Sequence, residues 1–232
     1  MAVENLALVR GLDDTRATLA RWSRDPWPAL RGWLAGALAI SVSLLAAVAA
    51  IASLSTPDAT PIVLPGLNAP ADLAAVAEVL RRNALVLALH GFACVAGFIA
   101  GSSLPQEAER YSGALRRIHD LAGPLAIAFV GVATAFSLIT QAYVLGGAAS
   151  TLAAQGAMHP VLLLVGLLPH ALPELVALFL PLAAWMIASR RGTWHELLAA
   201  TVATCGLAVP VLVVAAFVEV YVSPDLILLL RG

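Results

Sequence analysis

The sequence predicts an all-α membrane protein: a polytopic bundle of about five transmembrane helices, with amphipathic helices at the membrane surface. The first observation is composition, because 61% of the 232 residues are hydrophobic and only 12% are charged. Soluble domains are nearer 45–50% apolar and about 25% charged. The second is five apolar stretches, each about 20 residues or longer, the length that crosses a ~30 Å hydrocarbon core. A globule of this size has too little interior to bury so much apolar surface.

Charge and cysteine content argue against several kinds of partner and site. The formal net charge is −1, which gives no electrostatic basis for binding a nucleic acid. Cys94 and Cys205 both lie inside apolar stretches, where cysteine usually acts as a small packing residue. We therefore expect no nucleic-acid partner, no disulfide, no metal site and no cofactor.

Two regions of unequal length are predicted. Residues 1–31 alternate arginines with acidic residues and place apolar residues at near-helical spacing, which is typical of an amphipathic helix on a membrane surface. Pro26 and Pro28 end this predicted cytoplasmic helix. Residues 32–232 form the predicted transmembrane domain.

The spans can be placed from hydropathy. A proline-rich loop follows the first span, a short amphipathic helix at 72–82 leads into the second, and a charged loop or surface helix occupies 105–120. The predicted spans are 33–54, 83–104, 121–145, 161–188 and 197–222. The fourth span contains Pro169 and Pro173. A helix break or kink at 169–173 is expected, and a re-entrant segment or a sixth crossing remains an alternative.

Arginine asymmetry predicts the orientation. With five spans, ten of the 13 arginines lie on one side of the membrane, together with the N-terminus. Since cytoplasmic segments are enriched in basic residues, the N-terminus is expected in the cytoplasm and the C-terminus outside.

Ionisable residues within spans are rare and often functional. Here they are His90, His170, Glu174 and Glu219. His170 and Glu174 are four residues apart and share one face of a continuous helix. Two interpretations remain open for this predicted cluster. It is either a polar functional site or a structural clamp, in which His170 bonds Glu174 or a carbonyl freed by Pro173.

No complete catalytic motif accompanies the cluster. The sequence His170-x-x-x-Glu174 lacks the second histidine of a zinc-protease HExxH motif, and neither a G-x-S-x-G nor a P-loop motif occurs. We therefore expect a protein that is not an enzyme. Two small-residue motifs permit close helix packing within the protomer or in a homo-oligomer. They are Gly32-x-x-x-Gly36 and Gly97-x-x-x-Gly101.

Two segments resemble the stage II sporulation protein M family. Residues 167–175, LLPHALPEL, are similar to its LPHG-x-x-EL signature, and residues 215–224, AAFVEVYVSP, are similar to its closing pattern. Asn83 and the Gly146-Gly147 pair are weaker matches, and the resemblance covers roughly the last 150 residues. Ala171 stands where the family usually has glycine, and Pro173 is additional.

The resemblance implies a non-enzymatic plasma-membrane protein of bacteria. The founding member acts with cell-wall-degrading enzymes during engulfment as a scaffold or localiser, and many relatives are encoded beside a MoxR-type ATPase. The expected partners are thus the lipid bilayer and either cell-wall hydrolases or a MoxR-type ATPase. The family's signature His and Glu fall on His170 and Glu174, and its terminal Glu on Glu219, without a catalytic role.

Three functions therefore compete. The leading interpretation is a protein that scaffolds or localises peptidoglycan-remodelling machinery in the cell envelope, for which sporulation is the family setting. The alternative is a channel or transporter with a polar intramembrane site around His170 and Glu174. An intramembrane enzyme ranks last, because no nucleophile or metal ligand set accompanies these residues.

Overall fold

A computed structural model describes residues 7–105 and 112–231, and this part of the chain is helical and contains no β-strand. The predicted all-α fold class is confirmed. A π-helical turn at Ile99–Ser103 follows the helix that ends at Phe98, and a 3-10 turn at Trp194–Glu196 precedes the helix that begins at Leu197. The helices are α1 (Ala7–Arg24), α2 (Trp27–Leu54), α3 (Leu73–Phe98), α4 (Gly113–Gln155), α5 (Pro160–Arg191), α6 (Leu197–Tyr221) and α7 (Ser223–Arg231).

Five helices are long and apolar enough to cross a membrane, counted over the residues that the structure describes. With their short extensions they are Trp27–Leu54, Leu73–Ser103, Arg116–Gln155, Pro160–Arg191 and Trp194–Tyr221. Each exceeds the ~20 residues that a bilayer core requires. The chain is thus a multi-pass membrane protein, and the predicted number of spans is confirmed. The predicted helix at 72–82 is the start of α3 and continues into the second span.

The fourth span differs from its prediction. α5 is one continuous helix from Pro160 to Arg191 and passes through Pro169 and Pro173. The helix break expected at 169–173 is therefore wrong, and a kink at these residues stays a prediction. A proline removes one N–H donor and frees one carbonyl a turn earlier. The remaining hydrogen bonds on both sides maintain the helix, and membrane helices tolerate such prolines.

The structure describes most of the predicted surface helix at 1–31 but only part of the charged segment at 105–120. α1 covers most of the predicted amphipathic region and ends at Arg24, two residues before Pro26. The charged segment predicted at 105–120 lies partly outside the described residues, which resume at Ser112. From Gly113 this segment forms the first turns of α4.

The described chain divides into two compact units. The first unit comprises the described residues of Met1–Ala37, Val86–Thr134 and Leu178–Ala208, and the second those of Leu38–Leu85, Ala135–Ala177 and Val209–Gly232. Each of the five long helices therefore contributes one segment to each unit.

Glycines allow close helix contacts within the first unit. A Cβ atom at Gly36 would lie 3.1 Å from Cβ of Ala183 on α5, and one at Gly32 would lie 3.3 Å from Ile187 of the same helix. Likewise, Gly97 and Gly101 lie against the rings of Trp185 and Trp194, respectively. The glycines of both small-residue motifs thus contact other helices of the same protomer.

In the second unit, side chains near the end of α4 hold the loop between α2 and α3. The hydroxyl of Ser150 donates to the Ser55 carbonyl at 3.0 Å, and that of Thr151 accepts from the Asp58 amide at 3.0 Å. The side chain of Gln155 donates to the Thr60 carbonyl at 3.0 Å and accepts from the Ile62 amide at 3.2 Å. These bonds fix a proline-rich segment that has no regular structure of its own.

The same loop turns at Gly66, whose φ of +80° is disfavoured for residues with a side chain. A Cβ atom there would lie 2.5 Å from Pro224 and 2.7 Å from the Val220 carbonyl oxygen. Glycine is therefore required at this position both by backbone conformation and by the close approach of the chain around the start of α7.

Candidate functional site

The centre of the candidate site is a buried hydrogen bond between α5 and the start of α7. Nδ1 of His170 and Oγ of Ser223 are 2.6 Å apart. Both residues are buried, with 7% and 1% of their surfaces exposed, respectively. His170 belongs to the segment 167–175 and Ser223 to the segment 215–224. The bond thus joins the two motifs that carry the family resemblance.

Two acidic side chains of the same unit interact with one another electrostatically. Glu174 of α5 interacts electrostatically with Glu219 of α6 and with the side-chain amide of Asn83 on α3. Nδ2 of Asn83 and Oε2 of Glu174 are both buried, and neither has a hydrogen-bond partner within the described chain. α3, α5 and α6 thus each contribute one polar residue to this group. One atom of Asn83 and one of Glu174 remain free to form a further hydrogen bond.

A positive charge borders this acidic pair. Arg82 interacts electrostatically with Glu219, and its Nε atom donates to Oε1 of Glu78 at 2.7 Å. Arg81 binds the same carboxylate through two hydrogen bonds of 2.7 and 2.8 Å. Since charges in a membrane span require a partner, Arg82 is the cation that can offset the carboxyl charge of Glu219.

His90, expected as a possible fourth member of the cluster, belongs to the first unit, whereas His170, Glu174 and Glu219 belong to the second. Its ring lies against Phe179, with 5.4 Å between ring centroids, and it interacts with the backbone of Leu178. Nδ1 of His90 is buried without a hydrogen bond to the described residues. The contacts that the structure gives His90 thus fit a helix-packing residue.

The arrangement offers groups for polar recognition. Within the described chain, no three residues among His, Cys, Asp and Glu are placed to hold a metal ion. What the second unit supplies is a histidine–serine bond, two neighbouring carboxyl groups, one amide and one guanidinium. These groups can connect helices by hydrogen bonds or receive a small polar species.

Sequence reasoning misses three of these residues as site members. Ser223 stands next to last in the second motif, and this position is the signal that could have identified it. In the sequence, Asn83 is only a weak match to the family, and Arg82 is only a basic residue outside the spans. Hydropathy profiles do not reveal which helices are adjacent, so these contacts could not be read from the sequence.

Comparisons with known proteins give one result. Residues 121–224 match the model of a family described as Stage II sporulation protein M. Compared with curated proteins and with solved structures, the chain shows no significant match. The matched region contains His170, Glu174, Glu219 and Ser223, whereas Arg82 and Asn83 precede it. The match covers 104 of the 232 residues, so just under half of the chain is similar to the stage II sporulation protein M family.

Proposed function

We propose that this protein is a non-enzymatic scaffold that localises peptidoglycan-remodelling machinery at the bacterial plasma membrane. Its partners under this proposal are cell-wall hydrolases or a MoxR-type ATPase. Similarity to the family over residues 121–224 and the five long apolar helices support the membrane setting. The expected excess of arginines on the cytoplasmic side supports an N-terminus in the cytoplasm.

The observation that carries the proposal is the buried bond between His170 and Ser223. A nucleophilic serine needs access to substrate and a base that an acid orients. Ser223 is only 1% exposed, and among the described residues no carboxylate hydrogen-bonds the His170 ring. The pair therefore suits a joint that fixes two motif segments to each other.

Recovery of partners from native membranes tests the proposal. The full chain carries an affinity tag, is solubilised in mild detergent after brief crosslinking, and is compared with an unrelated multi-pass protein at equal abundance. Specific enrichment of a peptidoglycan hydrolase or a MoxR-type ATPase is the expected result. Recovery of the chain alone, from cells in which such proteins are expressed, would contradict it.

A second candidate function is transport, and the unsatisfied polar atoms of Asn83 and Glu174 favour it. Purified protein in liposomes loaded with a pH-sensitive dye distinguishes the two candidates. A scaffold leaves the proton leak unchanged. A transporter increases the leak, and Glu174→Gln abolishes the increase.

A further inference from the structure

A cavity of about 220 Å³ lies within the first unit, among the end of α1, the start of α2 and the end of α5. Its polar lining includes Arg21, Arg191 and Glu196, and its aromatic lining is Trp22 and Trp33. The two indole rings meet edge to face, with their centroids 4.9 Å apart. None of the polar residues of the candidate site lines this cavity.

The charges of the cavity are unequal. Arg21 donates to the carboxylate of Glu196, so these two charges form an ion pair. The guanidinium group of Arg191 makes no hydrogen bond and no ion pair with the residues that the structure describes. One guanidinium thus remains available in the cavity, and guanidinium groups bind phosphate oxygens through paired hydrogen bonds.

The cavity also lies where spans end. The first candidate span begins at Trp27, the fourth ends at Arg191 and the fifth begins at Trp194. Span ends lie at the level of the lipid headgroups, where tryptophan and arginine are enriched. A phosphate at this depth is available from the lipids themselves.

An apolar groove of about 370 Å³ adjoins the cavity and shares Trp22, Ala29 and Trp33 with it. The rest of its lining is almost entirely apolar, including Leu30 of α2 and Leu207 of α6. An acyl chain attached to a headgroup in the cavity would continue into this groove, because the two spaces meet at the tryptophan pair.

We propose that the cavity and the groove together bind one anionic phospholipid. Arg191 holds the phosphate, and the groove holds part of an acyl chain. A zwitterionic lipid such as phosphatidylethanolamine would bring an ammonium group that needs a carboxylate partner. Among the described residues that line the cavity, only Glu196 has a carboxylate, and it is already bound to Arg21. The site therefore favours a lipid with net negative charge, such as phosphatidylglycerol.

Native mass spectrometry of the full chain in mild detergent tests the headgroup contact. Phosphatidylglycerol and phosphatidylethanolamine are titrated separately against wild type, Arg191→Gln and Arg190→Gln. Arg190 is the matched control, because it is the adjacent arginine of α5 and does not line the cavity. A charge-assisted hydrogen bond contributes enough free energy for a change of about tenfold in affinity. We expect Arg191→Gln to lower the affinity for phosphatidylglycerol by about this factor, and Arg190→Gln to leave it unchanged. Wild type and Arg190→Gln should bind phosphatidylethanolamine more weakly than phosphatidylglycerol.

A second variant tests the groove without altering charge. Gly206 lines the groove, and a Cβ atom there would meet no atom within 4 Å, so Gly206→Leu fills open space. We expect it to weaken phosphatidylglycerol binding several-fold. Gly147→Leu, at another glycine with open space in the second unit, should leave binding unchanged.

Three outcomes would overturn the proposal. Equal losses for Arg190→Gln and Arg191→Gln would indicate general attraction to an arginine-rich surface. Equal binding of both lipids would remove the basis for anionic selection. Thermal stabilisation by inorganic phosphate as large as that by phosphatidylglycerol, abolished by Arg191→Gln but unaffected by Gly206→Leu, would identify a site for free phosphate.

Discussion

Nδ1 of His170 lies 2.6 Å from Oγ of Ser223, although 53 residues separate them in the chain. The bond is buried, so water cannot replace either partner at low cost. It connects α5 to the first residue of α7 and makes the position of the short terminal helix dependent on a transmembrane helix.

Ser223→Ala should destabilise the protein by about 1–2 kcal/mol, because Nδ1 of His170 would stay buried without a partner. Thermal unfolding in detergent, followed by circular dichroism, measures this effect. Ser53→Ala is the matched control: its hydroxyl is exposed and bonds the Ala49 carbonyl of its own helix. That substitution should change stability by about 0.5 kcal/mol or less. Equal effects of the two changes would show that the buried bond contributes nothing specific.

Glu174→Gln and Glu174→Leu should have different effects if Glu174 connects helices. An amide still forms hydrogen bonds, so Glu174→Gln should cost about 1–2 kcal/mol and retain partner recovery from membranes. Glu174→Leu removes the polar group of α5 that interacts with Asn83 and should lower stability further. Thermal unfolding of both variants measures the difference. Loss of partner recovery in a fully folded Glu174→Gln protein would instead assign a functional role to the carboxyl group.

Reporter fusions should reveal alternating sides of the membrane. A reporter after Arg191 is expected in the cytoplasm, and one at Asp58, in the loop after the first span, is expected outside. A fusion at the C-terminus should also report the outside, because five crossings separate it from a cytoplasmic N-terminus. Detection of both termini on one side would contradict the proposed topology.

Gln155→Ala should loosen the loop between α2 and α3. The substitution removes both hydrogen bonds that connect the Gln155 side chain to Thr60 and Ile62, each worth about 0.5–1.5 kcal/mol. Limited proteolysis in micelles should then cleave residues 55–72 faster. Gln141→Ala is the control, because the Gln141 side chain bonds Ser137 one turn away on the same helix. Similar cleavage rates for both variants would contradict the assigned role of Gln155.

The spans were predictable because bilayer thickness fixes helix length and lipid requires apolar side chains. The effect of the prolines on the fourth span could not be predicted, because Pro169 and Pro173 are compatible with either a broken or a continuous helix. The structure has the continuous helix. Spacing likewise placed Glu174 one turn from His170. It could not show that His170 bonds Ser223, because sequence separation carries no information about such a distant neighbour.

The sequence likewise does not show that His90 belongs to a different unit from the other three ionisable residues. Counting residues along a span gives an approximate depth, and His90 and His170 lie at comparable depths by that count. Depth does not determine which helix segments are neighbours. Likewise, α1 resembles a lipid-facing helix in sequence, whereas the structure places its Gly11 against Phe98 and its Arg21 against Glu196.

The turn at Gly66 has a consequence for tolerance to mutation. A side chain at this position would displace Pro224 or the Val220 carbonyl, and Pro224 directly follows the serine that His170 binds. Saturation mutagenesis of the loop should therefore find Gly66 as restrictive as the motif residues themselves, whereas an exposed loop residue such as Val63 should accept most replacements. Replacement of Gly66 would thus disturb the second motif segment, which lies more than 100 residues away in the chain.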